Sequence, residues 1–333
     1  MIREKKIVFR CDGSAELGWG HVVRCANLAH WLKGKYKVYF VIHQNEEVVE
    51  YLKERNLPVF EISEKGLDEK ILERELHTVL GVEPHLVIND ICDTQTEYMQ
   101  TLKEKNIKMV NIDDTTNNVK FAQALIDANR KEKEGKCFGP NYIVLDAVYA
   151  KLAKKKRAIH KKAKTIVISF GGSDPENLTD KTLRSLDDRL SHDVERVVVL
   201  GPSYQHRDDI KKWEEKGNVV FLEGVEFLGD VLLHADVAIV GGGITMCESL
   251  CLGTPTIVVA ENKAQAKNAR KMEKRSCVYC LGEGKKISDK KIMRKVASLM
   301  DDFNDRQKLS DKGKEIVDGR GLFRVLEQIE LCT

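Results

Sequence analysis

Short, unbroken apolar runs alternate with amphipathic helical segments along this chain, and the pattern is executed twice. In the first half the runs are Ile7 to Cys11, Val38 to Ile42, Pro58 to Ile62, Leu86 to Asp90, Met109 to Asp114 and Ala124 to Asp127. Helical spacing fills the intervals from Glu46 to Arg55, Leu67 to Leu80 and Thr94 to Lys105. A strand with one wet face alternates apolar with polar residues, whereas these runs are apolar on both faces. Such strands belong in a parallel sheet covered by helices on both sides. The rhythm restarts with Thr165 to Phe170, Arg196 to Leu200, Val219 to Leu222, Val237 to Val240, Thr256 to Ala260 and Val278 to Leu281. Between the halves lies KLAKKKRAIHKKAK (151–164), which reads as a solvated helix or linker. The expectation is α/β throughout: a parallel-sheet domain over 1–150, a basic linker over 151–164, and a second parallel-sheet domain with a helical tail over 165–333. A cleft would face the carboxyl ends of both sheets, and Gly321 to Leu331 could fold back across the first domain.

Composition narrows the function. The 333 residues suit two domains, and 42% apolar with 32% charged residues describes an ordinary soluble protein. A net charge of +3, with lysines scattered along the chain, gives no footing for nucleic acid. No apolar run is long enough to span a bilayer, and the start, Met-Ile-Arg-Glu-Lys-Lys, has no signal-peptide pattern. Nine cysteines, most of them isolated in apolar segments, suggest reduced thiols and a cytoplasmic protein. Cys277 and Cys280 have C-x-x-C spacing, and Cys247 and Cys251 lie one helical turn apart. A small buried hydrophobe explains each of the four as well as a zinc site would. Asp12, Asp90, Asp93, Asp113 and Asp114 stand at strand ends, where caps are commoner than metal ligands. Neither metal nor cofactor is expected.

Three places could carry chemistry. The stretch from Phe9 to His21 runs from a strand end through a Gly-containing turn into a helix with apolar positions Val22, Cys25, Ala26, Ala29 and Leu32. His21 then occupies the first helical turn at a strand's carboxyl end, where open α/β sheets bind ligands. The positive helix end disfavours its protonation, so His21 is expected to be largely neutral near pH 7 and able to act as a general base. The alternative is a helix-start histidine bonded to a nearby carbonyl. The other two places are the turns Gly171-Gly172 and Gly241 to Gly243, each between a strand and a helix, where free backbone N–H groups can hold phosphate. Glu248 lies one turn into the second of these helices and could accept from a ribose diol, and Gln265 and Asn268 are one turn apart on the next. Dinucleotide binding is excluded on two counts: Val23 stands where the fingerprint after Gly18-Trp19-Gly20 needs a small residue, and no acid follows Ile42. The chain has no G-x-x-x-x-G-K-[ST], H-E-x-x-H or serine-elbow motif.

Taken together, Arg10-x-Asp12-x-Ser14-x-x-Leu17-Gly18-x-Gly20-His21-x-x-Arg24 resembles the N-terminal signature of a family of nucleotide-sugar hydrolases. These are the UDP-2,4-diacetamido-2,4,6-trideoxy-β-L-altropyranose hydrolases of pseudaminic acid synthesis, grouped with related spore-coat polysaccharide proteins. The second half is similar to their UDP-binding domain in Gly171-Gly172-Ser173-Asp174, Ala235-Asp236, Gly242-Gly243-x-Thr245, Cys247-Glu248-Ser249, Gly253-Thr254-Pro255 and Gln265-x-x-Asn268-Ala269. The resemblance implies a GT-B fold, two Rossmann-like parallel-sheet domains facing a cleft, that binds a UDP-amino sugar. His21 would activate the attacking water, with Asp12 orienting His21 or the sugar. Ser14, Gly18, Gly20, Arg24, Asp90 and Asp114 would bind substrate from the first domain. Gly172, Ser173, Gly243, Ile244, Thr245, Glu248, Gln265 and Asn268 would do so from the second, with Glu223 to Val225 near the base. Ala264 departs from the family, which has Asn before the Gln. Two other readings share this fold: an inverting glycosyltransferase using a UDP-sugar donor, and a non-catalytic nucleotide-sugar binding module.

Overall fold

Each half of the chain forms a six-stranded parallel sheet, and both sheets have the same strand order. The computed structural model describes residues 4–14, 18–63, 69–131, 136–187 and 193–333. Ala15, Glu16 and Leu17 of the turn before His21, and the expected helix start at Leu67, lie outside the described residues. In the first sheet β1 (Lys6–Cys11), β2 (Lys37–His43), β3 (Val59–Ile62), β4 (Leu86–Asp90), β5 (Lys108–Ile112) and β6 (Ala124–Ile126) are ordered β3-β2-β1-β4-β5-β6. In the second sheet β7 (Thr165–Ser169), β8 (Glu195–Val199), β9 (Val219–Leu222), β10 (Val237–Val240), β11 (Thr256–Ala260) and β12 (Tyr279–Glu283) are ordered β12-β11-β10-β7-β8-β9. The order reverses at β1/β4 and again at β7/β10. At those points the loops leave toward opposite faces and open a crevice at the strands' carboxyl ends. Register brings Cys11 beside Asp90 in the first sheet and Val240 beside Ser169 in the second.

Helices cover both faces because the strands need it: Ile7, Val8, Phe9, Phe40, Val41, Ile88 and Val110 are all fully buried. The helix α1 (Gly20–Leu32) packs Val22, Cys25, Ala26, Leu28, Ala29 and Leu32 into one core of the first sheet. The opposite face is closed by Ile71 and Val79 of α3 (Glu69–Gly81) and by Tyr98, Met99 and Leu102 of α4 (Thr96–Glu104).

The chain divides into two compact units, Met1–Ala147 with Arg320–Thr333, and Val148–Gly319. The tail assigned to the second half is therefore split, and its last stretch returns to the first domain, as the sequence had allowed for Gly321 to Leu331. The helices α11 (Asp289–Asp301) and α12 (Phe303–Ile316) stay with the second unit, whereas α13 (Gly321–Cys332) belongs to the first. Leu322, Val325 and Ile329 recur at helical spacing, are fully buried, and join the core built on Ile7 and Phe9. Burying each contributes roughly 1.5–3 kcal/mol.

The basic stretch is not a free linker either. After α5 (Val148–Leu152), Arg157 donates to Leu232 O (3.2 Å), Thr254 Oγ1 (3.1 Å) and Ala235 O. His160 Nδ1 pairs with Asp236 Oδ1 at 2.8 Å, and Arg306 donates to His160 O and Lys161 O. Net charge per residue told nothing about these buried carbonyl partners.

Among the described residues, no three His, Cys, Asp or Glu side chains are grouped as a metal requires, and no helix is long and apolar enough to cross a membrane. The thiols are used singly: Cys277 donates to Met272 O, Cys251 to Tyr149 O and Cys280 to Ala266 O.

Candidate active site

The helix α1 follows β1, and β4 is β1's neighbour across the switch point, so the start of α1 meets the end of β4. The apolar face of α1 fixes its rotation. His21 and Arg24, three residues apart, are then carried on one face toward Asp90, the last residue of β4. His21 Nδ1 lies 2.7 Å from Asp90 Oδ1. Arg24 donates from Nε to Asp90 Oδ2 (2.5 Å), from Nη2 to Oδ1, and from Nη1 to Asp113 Oδ2 (2.6 Å). Cys25 Sγ, 3.3 Å from Asp90 Oδ2, completes the shell around this fully buried carboxylate. Burial alone would raise Asp90's pKa, but Arg24 and His21 outweigh it and hold it well below the ordinary carboxylate range.

The same pairing reverses the expectation for His21. Asp90 pushes the imidazole up to about 10, against burial and against Arg24. The helix start, worth about 0.3–1 kcal/mol, is overruled by a buried carboxylate in hydrogen-bond contact. His21 therefore rests as an imidazolium, not as a neutral ring. Its Nδ1–H faces Asp90, and the 3.2 Å separation from Arg24 Nη2 is a contact between two donors sharing one carboxylate. The Nε2 side looks toward the exposed Cys92, whose Sγ is 4.0 Å away.

Asp12 is not the residue that orients His21. It accepts from His43 N (2.8 Å) and pairs with His43 Nδ1 (2.9 Å) and Arg10 Nη1 (2.8 Å), while Arg10 also pairs with the buried Glu75. Orientation of His21 falls to Asp90, which the sequence had suggested only as a substrate ligand. Asp114 is likewise committed to the fold. Fully buried, it accepts from Thr94 Oγ1 (2.6 Å), Asn111 Nδ2 (2.6 Å), and Thr116 N and Oγ1 (both 2.9 Å). Four bonds saturate its lone pairs and leave none for a substrate. Asp113, absent from the expected set, joins the site instead by pairing with Arg24. Gly18 N donates to Ser14 O (2.8 Å) across the turn before α1, and Gly20 is the first residue of that helix.

In the second unit, the switch point lies between the two glycine turns. The one after β7 holds Gly171, Gly172, Ser173 and Asp174; the one after β10 holds Gly241 to Gly243 and leads into α9 (Ile244–Leu252). Gly171 has φ +74°, a conformation side-chain-bearing residues rarely adopt, and the carbonyls of Gly171 and Gly172 pack so closely on Gly201 that a Cβ there would collide with both. The helix α6 (Leu178–Asp187) is capped mainly by Asp174, with Asn177 in a lesser role. Asp174 Oδ1 accepts from Leu178 N (2.8 Å) and Oδ2 from Thr179 N (2.9 Å), whereas Asn177 Oδ1 is 3.4 Å from Asp180 N. Burial nevertheless keeps Asp174's pKa above its ordinary value.

The helix α9 starts without a side-chain cap, so the N–H groups of Ile244 and Thr245 are among those with no partner in the helix itself. Glu248, one turn on, is half-buried. Gln265 and Asn268 fall on α10 (Lys263–Glu273), but Gln265 is occupied in building the turn: its Oε1 accepts from Gly242 N (2.8 Å) and Glu261 N (3.2 Å), and its Nε2 donates to Glu261 Oε2 (3.0 Å). Glu261 itself escaped the sequence reading, although it directly follows β11 and so carries the strand-end signal that singled out Asp90. Burial, then repulsion from Asp174, pushes its carboxyl up to about 7, against the bond from Gln265.

This architecture recurs in known proteins. MurG of Acinetobacter baumannii superposes with a TM-score of 0.68 at 14% identity, covering 98% of this chain and 99% of that one, which places the fold among the GT-B proteins. In sequence, the chain is 26% identical over 328 residues to the spore coat polysaccharide biosynthesis protein SpsG of Bacillus subtilis, covering 94% of each. It is 29% identical over 281 residues to an uncharacterized protein of Methanocaldococcus jannaschii, with 78% of this chain matched to 56% of the relative. The match to the glycosyltransferase family 28 C-terminal domain runs over residues 148–319, the whole of the second unit, and the protein belongs to that family.

Proposed function

We propose that the protein hydrolyses a UDP-linked deoxy amino sugar at the anomeric C–O bond with inversion, releasing UDP and the free sugar for nonulosonic (pseudaminic-type) acid synthesis or related surface-polysaccharide synthesis. The observation that carries this reading is the His21–Asp90 pair at the carboxyl edge of the first sheet, its Nδ1 anchored and its Nε2 side outward. The relative SpsG, named for polysaccharide biosynthesis, supports the substrate class. In the reaction, neutral His21 takes a proton from water at Nε2 while the water oxygen bonds to the anomeric carbon. The bond from that carbon to the phosphate oxygen breaks on the opposite face, and UDP leaves with the electron pair. Asp90 compensates the imidazolium that forms. The glycine turns and the start of α9, with Gly172, Ser173, Gly243, Ile244 and Thr245, stabilise the departing diphosphate, and Glu248 holds the ribose. Because His21 rests protonated, turnover draws on its neutral minority, and the rate climbs with pH toward about 10.

Incubation of UDP-amino sugars without any acceptor tests the reading, with free UDP as the readout. A His21→Ala variant is expected to keep UDP binding and to lose a factor of about 10²–10⁴ in turnover; unchanged turnover removes His21 from the mechanism. Membership of a glycosyltransferase family favours one competitor, an inverting transferase in which a sugar or lipid hydroxyl replaces water. That competitor wins if UDP appears only when an acceptor is added.

A further inference from the structure

Glu261 sits where a carboxylate is least expected. Its Oε1 is 3.2 Å from the point a Cβ on Gly241 would occupy and 3.9 Å from the corresponding point on Gly171, so it stands between the two glycine turns. Oε2 is held by Gln265 Nε2, and the same glutamine's Oε1 grips Gly242 N and Glu261 N, fixing carboxyl and turn as one piece. The charged group facing Glu261 from the turn after β7 is Asp174, of like sign, with His206 beyond it acting on Asp174. The turn after β10 offers only backbone, and among the described residues no cation pairs with Glu261. An anion seated on these turns would meet an uncompensated negative charge at Oε1 unless that oxygen carries a proton.

We infer that Glu261 is a ligand of the diphosphate in its acid form: Oε1–H donates a hydrogen bond to a phosphate oxygen cradled by the two glycine turns, so that nucleotide and one proton from solvent bind together. This rests on the nucleotide reading of the second unit. A carboxylic acid suits the geometry because its two oxygens take different roles, Oε2 accepting from Gln265 and Oε1 donating outward. A carboxyl that titrates at about 7 when the site is empty reaches the acid form at little cost near neutrality. A bound diphosphate drives the titration higher, so affinity is highest below about pH 7 and falls as pH rises above it.

The test is calorimetric titration of the intact protein with UDP-GlcNAc, whose diphosphate diester does not itself ionise near neutrality, between pH 6 and pH 8.5. At pH 8 the titration is repeated in two buffers of different ionisation enthalpy. The wild type is expected to lose about tenfold in affinity per pH unit above pH 7 and to take up close to one proton at pH 8. Glu261→Gln, whose amide copies the acid form, is expected to bind with no proton uptake and a flat pH profile. A flat profile without proton uptake in the wild type, or the wild-type slope retained in the variant, overturns the inference while leaving the nucleotide reading standing. No binding at any pH refutes both. Should the variant fail to fold, the buffer comparison on the wild type alone decides.

Discussion

Asp90→Asn isolates the charge that governs His21. In the native protein Asp90 carries the imidazole from its ordinary 6.5 to about 10, an interval worth about 5 kcal/mol at 1.36 kcal/mol per pH unit. Asparagine keeps the shape and an oxygen that accepts from Nδ1–H, but not the charge. What remains is burial, which pushes the imidazole down and outweighs the opposing bond with Cys92, and the Arg24 cation, which adds to burial, so in the variant His21 should titrate at or below about 6.5. At pH 7.5 the imidazolium fraction then falls from above roughly 99% to below about 10%. The assay is NMR of ring-labelled histidine, with the His21 signal identified by its loss in His21→Ala. The rate should follow: kcat of the wild type, measured at saturating substrate, climbs with pH from 7 toward the His21 pKa, and the variant's profile flattens above about pH 6.5. A wild-type His21 signal that titrates near 6.5 refutes the electrostatic argument outright.

The same pair has a stability signature of fixed sign. His21's pKa is raised on folding, so its contribution is fully present below pH 6.5 and is lost as pH rises through about 10. Asp90's pKa is lowered, so the contribution seen from its side is present above the ordinary carboxylate pKa and is lost as pH falls below it. These are one interaction viewed from its two partners and are not added. Asp90→Asn should also cost about 3–5 kcal/mol in urea unfolding, because Arg24 is left with Asp113 alone in a buried site.

Two further substitutions probe the frame. Gly201→Ala places a Cβ against the carbonyls of Gly171 and Gly172 and must shift the first glycine turn; UDP affinity should fall at least tenfold, and wild-type affinity would show that this turn does not hold the nucleotide. Ile329→Ala removes a fully buried side chain from the first core; a loss of about 2–5 kcal/mol in denaturant unfolding is expected, and a loss under 1 kcal/mol would show that α13 is not integral to that core.

Much of this frame was legible because strand burial leaves its mark residue by residue. Runs such as Leu86 to Asp90 and Thr256 to Ala260 announce themselves by apolar content, and every strand expected from the sequence is present within two residues of its place. The division into units was less legible. The stripe Leu322, Val325 and Ile329 fits either core, so the sequence offered the return of Gly321 to Leu331 to the first domain as an option and could not decide it. The charge state of His21 was illegible for a related reason. Helix position gave the small local effect, whereas the large one came from Asp90, 69 residues away and brought alongside by β1/β4 pairing. Asp12 and Asp114 show the converse. Both look like strand-end ligands in sequence, and both are consumed by partners that only the fold supplies: His43 and Arg10 for one, Thr94, Asn111 and Thr116 for the other.

The two sheets share a strand order, yet their switch points are furnished in opposite ways. The first is lined by titratable side chains, with His21 and Arg24 set against Asp90 and Asp113. The second offers mainly backbone, two glycine turns and an uncapped helix start. A group that must exchange a proton during a reaction needs a side chain whose pKa its neighbours can set, and a buried network with no net charge allows that without destabilising the fold. A group that must only hold a leaving anion is better made of fixed dipoles, which need no counterion and do not titrate. By that logic the Glu261 carboxyl, set between the glycine turns with Asp174 of like sign facing it, is out of place as a charge and fits there as an acid.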